Sequence, residues 1–89
     1  MNFKLKLTKE AKGNLCSLEQ NIQKRIVNKL NFFVSTKNPL KYAKKLKPPL
    51  DDLFRFRVGE YRVIFEVDSK GNLVILTILT IKHRKDVYS

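Results

Sequence analysis

The sequence predicts an α+β fold: an N-terminal strand, then a two-helix hairpin packed on one face of an antiparallel sheet of about four strands, in the order β-α-α-β-β-β. Three patterns carry this expectation. Phe3, Leu5 and Leu7 alternate with polar residues, and Ile22, Ile26, Val27, Leu30, Phe33 and Val34 recur at helical spacing. Residues 53–67 then alternate again on both sides of Gly59-Glu60. Eighty-nine residues make a single domain, 1–89, with room for one modest core, and 43% hydrophobic residues, including six Phe and three Tyr, can fill it.

The first strand puts Phe3, Leu5 and Leu7 on one face and Asn2, Lys4 and Lys6 on the other. Thr8 follows as a helix cap, with Glu10 in the first turn where the helix dipole favours a carboxylate. Ala11 and Leu15 form that helix's apolar stripe, and Leu18 marks the corner. The longer second helix is expected over residues 19–35, with Gln23, Lys24, Asn28, Lys29 and Asn31 on its wet side. Thr36-Lys37-Asn38-Pro39 breaks it. A basic connection from Leu40 to Lys47 carries Lys41, Lys44, Lys45 and Lys47, and Pro48-Pro49 stiffens it. Asp51-Asp52 shapes the turn into the next strand.

That strand opens a hairpin. With Gly59-Glu60 as a two-residue turn, Val58 faces Tyr61, Arg57 faces Arg62 and Arg55 faces Ile64. A second turn through Ser69-Lys70-Gly71-Asn72 would pair Asp68 with Leu73, Ile64 with Thr77 and Arg62 with Leu79. The last strand, Leu73 to Ile81, is apolar on both faces and therefore central. In this register Thr77, Leu79, Ile81 and His83 share the face of Arg55, Arg57 and Arg62, while Phe54, Phe56, Val58, Val63 and Phe65 lie under the helices. A slip of one residue would turn His83 to the other face.

Lys and Arg number 19 against eight Asp and Glu, a net charge of +11 that favours an acidic partner. Cys16 is the sole cysteine and His83 the sole histidine, so neither a disulfide framework nor a zinc-ligand cluster is available, and no cofactor or metal is expected. Cys16 is expected as a small buried helix residue. The N-terminus lacks a signal-peptide apolar region, and the longest apolar run is far short of a spanning helix, so a cytoplasmic protein with no membrane association is expected.

Two arginines opposed across a ladder destabilise a sheet unless they hold an anion. Converging guanidiniums match phosphate oxygens bidentately and stabilise the charge of a pentacoordinate transition state. RNA carries its own nucleophile, the 2′-hydroxyl, so cleaving it needs a base, an acid and positive charge between them. His83 is the one imidazole in the sequence, the side-chain type most used for acid–base catalysis, and Tyr88 offers a stacking face or a phenol proton. The candidate catalytic set is therefore Arg62, His83, Tyr88 and Arg57, with Arg55, Arg57, Lys44, Lys45, Lys47, Lys82 and Arg84 as RNA or phosphate contacts. The bland alternatives are a solvated arginine face partnered by Glu60 and Glu66, a surface His83, and a Tyr88 that anchors the C-terminus.

The run Leu53-Phe54-Arg55-Phe56-Arg57-Val58-Gly59-Glu60-Tyr61-Arg62-Val63-Ile64-Phe65-Glu66, followed by His83-Arg84-Lys85-Asp86-Val87-Tyr88, resembles the RelE toxins of the RelE/ParE superfamily. The likeness spans nearly the whole chain. It implies the toxin of a type II toxin–antitoxin pair that cuts messenger RNA in the ribosomal A site. It also implies an acidic antitoxin, the ribosome and mRNA as partners. The resemblance places Arg62 as the transition-state arginine, Arg55 and Arg57 as the basic residues of the second strand, and Tyr88 as the C-terminal tyrosine. The best-known member has lysines at the positions of Arg55 and Arg57; arginine does not give up a proton near neutral pH, so a base role does not transfer. His83 takes that candidacy instead. The sequence stops one residue after Tyr88, so no C-terminal helix is expected to be displaced by an antitoxin. The same fold also serves ParE-like toxins that poison DNA gyrase without nuclease chemistry, and a basic RNA-binding module is a third reading.

Overall fold

The structure is a computed structural model and describes residues 2–86. In chain order the elements are β1 (Asn2–Leu7), α1 (Lys9–Cys16), α2 (Gln20–Ser35), a 3-10 turn (Pro39–Tyr42), β2 (Ala43–Lys45), β3 (Phe54–Val58), β4 (Tyr61–Lys70), β5 (Leu73–His83) and a second 3-10 turn (Arg84–Asp86). The α+β architecture is the one expected, with two helices against one sheet. The sheet has five strands in the order β1-β5-β4-β3-β2, and it is mixed, since β1 runs parallel to β5. The additional strand, β2, lies within the basic connection. Three residues at a lysine-bearing edge are too few to show an alternation, and lysine there discourages further strand pairing.

Thr8 caps α1 as anticipated: its hydroxyl oxygen accepts from the Ala11 N–H at 3.1 Å and its O–H donates to the Leu79 carbonyl at 3.0 Å. The second bond matters for topology. Strand β1 ends its pairing at Leu7 opposite Ile78, which leaves the upper half of β5 as an open edge. Helix α1 closes that edge, because Asn14 Oδ1 accepts from both Thr80 Oγ1 (2.9 Å) and the Ile81 N–H (3.0 Å). Cys16 sits in the last turn of α1 and is exposed, not buried. The apolar stripe of this short helix is spent on Ala11 and Leu15, and Cys16 falls on the other side.

The core lies between the helices and the inner sheet face. Ala11, Ile26, Leu30 and Phe33 meet Phe56, Val63, Phe65 and Ile78 there, all almost fully buried. Aromatic rings form its spine: Phe33 stacks on Phe56, and Phe56 on Phe65, each with centroids 4.4 Å apart, and Phe54 stacks on Phe65 at 5.8 Å. Each such pair adds about 0.5–1.5 kcal/mol to the area buried.

The first hairpin has the anticipated register. Val58 pairs with Tyr61, Arg57 with Arg62 and Arg55 with Ile64. Gly59, with φ +58, takes the first turn position, where a positive φ suits glycine.

The second hairpin departs from the expected register twice. Its turn is the two residues Gly71-Asn72, so Lys70 pairs with Leu73 and Glu66 with Thr77. A bulge then leaves Leu79 between Ile78, which pairs with Phe65, and Thr80, which pairs with Ile64. Above the bulge the faces of β5 are exchanged: Lys82 lies opposite Arg62, while His83 lies opposite Tyr61. Ile81 is buried in the core instead of flooring the arginine face.

Candidate nucleic-acid interface

The sheet face away from the helices collects cations in two rows. Arg57, Arg62 and Lys82 sit side by side on β3, β4 and β5. Below them, Lys44 of β2 pairs with Arg55 of β3, and Ile64 and Thr80 complete the row. Alternation explains the arrangement, since every residue between these on β3 and β4 is an apolar side chain turned into the core. Farther down, Glu66 and Asp68 face the same side and mark where the positive field ends.

Arg62 occupies the centre. It is half-buried, and its Nη1 is fully enclosed with no hydrogen-bond partner among the described residues. Its pKa is held below the ordinary arginine value, first by desolvation and then by the charges of Arg55, Arg57 and Arg84; only Glu60 acts in the other direction. Arg62 remains cationic at neutral pH, because nothing in such a site deprotonates a guanidinium. A desolvated guanidinium flanked by cations, with an unused donor, is a poor structural element and a good anion receptor.

The other candidates divide. Arg84 lies at the hairpin tip, its Nε 2.6 Å from Glu60 Oε2, and half of each of those side chains meets solvent. Lys45 pairs with Phe54 and so points away from the cation rows, and Lys47 lies in the exposed connection. Tyr88 lies outside the described residues.

His83 is not on the arginine face. The bulge turns it to the Tyr61 side, where the two rings meet edge to face with centroids 5.2 Å apart. Its Nδ1 accepts from the Lys85 N–H at 3.2 Å, so the neutral ring carries its proton on Nε2. A groove runs beside it between α1 and the upper part of β5, lined by residues that include Glu10, Asn14, Tyr61, Thr80, Lys82 and His83. Sequence reasoning passed over Asn14. A polar residue mid-helix was the one available sign of it, as such side chains generally bond outside their own helix.

Comparison with known proteins bears on this geometry. Residues 5–88 match the family profile described as ParE toxin of type II toxin–antitoxin system, parDE. The chain is 30% identical over 88 residues to Toxin RelG of Mycobacterium tuberculosis (strain ATCC 25618 / H37Rv), covering 99% of this chain and 98% of that protein. Among solved structures it is similar to a chain of the toxin–antitoxin complex RelBE2 from Mycobacterium tuberculosis, with TM-score 0.73, 25% identity, and coverage of 94% of this chain and 100% of that one. It is also similar to a chain of the archaeal RelE-RelB complex from Pyrococcus horikoshii OT3, with TM-score 0.66, 26% identity, and coverage of 98% and 100%.

Proposed function

The chain belongs to the ParE toxin family, within the RelE/ParE superfamily of type II toxin–antitoxin systems, and from that premise we propose that it is a ribosome-dependent endoribonuclease. The observation that carries this reading is the row Arg57–Arg62–Lys82, with an enclosed nitrogen on its central guanidinium that has no hydrogen-bond partner among the described residues. A preorganised, desolvated donor of this kind suits the charge that develops on a phosphorane.

In the proposed reaction the 2′-hydroxyl of the RNA gives its proton to water as its oxygen attacks the adjacent phosphorus. The P–O5′ bond breaks, leaving a 2′,3′-cyclic phosphate on one product and a 5′-hydroxyl on the other. Arg62, aided by Arg57 and Arg55, holds the phosphoryl oxygens and stabilises the charge that grows on them. None of the three gives up a proton. Lys82 stands next to Arg62 on the same face, and we assign its ammonium the proton that the departing 5′-oxygen needs. His83, turned to the Tyr61 side, does not fill the role first expected of it. Tyr88, outside the described residues, keeps the part expected of it from the sequence, a stacking face or a phenol proton. Lys44, and Lys45 and Lys47 on the adjoining connection, extend the field that attracts the RNA backbone.

The relatives solved as toxin–antitoxin complexes support a cognate antitoxin as partner of this chain as well. An acidic segment lying over the cation rows would relieve their mutual repulsion and block RNA at once, and salt would slow its association.

A second reading has one observation behind it: the matching profile carries the ParE name. A ParE-like chain would act on DNA gyrase and leave messages uncut. Inducing the chain in bacteria while mapping both RNA 5′ ends and DNA breaks separates the two. New 5′ ends inside translated reading frames support the nuclease; gyrase-linked DNA breaks with intact messages support the alternative.

A further inference from the structure

The groove between α1 and the upper edge of β5 lies outside the arginine rows but shares Lys82 with them. Its polar groups have fixed directions. Asn14 Oδ1 is occupied by two donors, one of them the Ile81 N–H, which can only donate. The Asn14 amide orientation is therefore set, with Oδ1 turned to β5 and the N–H donors on Nδ2 of a residue that lines the groove. Glu10 lies four residues earlier on α1, hence on the same helix face, and also lines the groove. The ion pair between Arg84 and Glu60 is the one present among the described residues, so no cation there engages the Glu10 carboxylate. Across from them, Tyr61 and His83 supply two aromatic surfaces at right angles, with His83 Nε2–H directed away from its bond to Lys85.

A donor next to a two-oxygen acceptor, beside an aromatic wall, is the complement of one nucleobase edge. Guanine presents O6 as an acceptor and N1–H and N2–H as two adjacent donors; adenine, cytosine and uracil lack that pair of donors on the edge next to an acceptor. We propose that this groove is a nucleobase pocket that selects guanine in the RNA strand next to the scissile phosphate, with Glu10 accepting from N1–H and N2–H and Asn14 donating to O6. The ligand is chosen on the strength of the RNA-cleavage reading above. Lys82 joins the two sites, so that a base seated against Tyr61 and His83 leaves its neighbouring phosphate on the cation row. In this arrangement His83 positions the substrate base and carries no proton in the reaction.

The test is a titration of the purified full chain with each of the four ribonucleoside 5′-monophosphates, followed by backbone amide NMR. The proposal expects the guanosine nucleotide to bind about tenfold or more tightly than the others, at the scale of one good bidentate contact, and to shift the Asn14, Ile81 and His83 amides. Glu10→Gln, at an exposed position, keeps the spectrum of the folded chain and brings the four affinities to parity. Equal affinities for all four in the parent chain, shifts confined to Arg57 and Arg62, or no binding at all would overturn the pocket. The outcome is separable from that of the nuclease reading. Guanine-selective binding in a chain that cuts no RNA leaves the pocket standing and removes the enzyme, whereas mapped cleavage with no guanine preference does the reverse.

Discussion

Replacing Arg62 with methionine should stabilise the fold while removing its activity. Arg62 faces Arg57 on one side and Lys82 on the other, and directly opposed like charges cost about 0.2–1 kcal/mol per pair. Its enclosed, unpartnered Nη1 adds a desolvation cost on the order of 1–3 kcal/mol. The side chain is only half-buried, so solvent screens part of both contributions, and about 1–2 kcal/mol is the expected net gain. Methionine retains an unbranched apolar stem, so little packing is lost. In a domain of 89 residues this corresponds to a rise of about 4–16 °C in Tm. Thermal unfolding at low and high salt is the assay, because added salt should raise the Tm of the parent chain more than that of Arg62→Met. A variant that melts several degrees lower, with an unchanged salt dependence, would refute the reasoning: the guanidinium would then be a structural contact and not a strained receptor.

Further expectations follow from the same geometry. Phe56→Ala opens the middle of the ring stack and should cost about 3–5 kcal/mol, a large part of the stability of a domain this size, as denaturant midpoints would reveal. Asn14→Ala strands the Ile81 N–H at the edge of β5 and should cost about 1–3 kcal/mol, with faster hydrogen exchange confined to residues 79–83. Arg57→Gln should lower the slope of log affinity for single-stranded RNA against log salt by about 0.7, whereas Lys37→Gln, in the exposed turn after α2 and outside the cation rows, should change it much less. Lys82→Met should slow cleavage by about 10²-fold or more while weakening RNA binding by less than tenfold, the pattern of a proton donor and not of a binding contact.

How much of this was legible in the sequence depends on where alternation survives. In residues 54–63 apolar and charged residues alternate around a glycine-led turn, and the pairing of Arg57 with Arg62 could be read to the residue. The second hairpin lacks both advantages. Leu73 to Ile81 is apolar on both faces, so neither register nor bulge leaves a trace in its pattern, and the side on which His83 falls depends on both. The parallel pairing of β1 with β5 was hidden for a different reason: a half-buried strand shows which face is wet but not which neighbour it takes. Cys16 was misjudged because general burial preference outweighed its position at the end of an eight-residue helix. Lys82 was read as one phosphate contact among several, and its place beside Arg62 emerges only once the bulge is in view.

Whether the Arg57–Arg62–Lys82 face cleaves RNA through the 2′-hydroxyl can be decided in a reconstituted translation reaction. A message would carry a single 2′-O-methyl group on the nucleotide 5′ to the main cleavage position. Cleavage should cease at that position alone, and the unmodified message should yield 2′,3′-cyclic phosphate ends that Arg62→Met no longer produces. Unaltered cleavage of the blocked message, or no cleavage of any message by the active toxin, would contradict that mechanism.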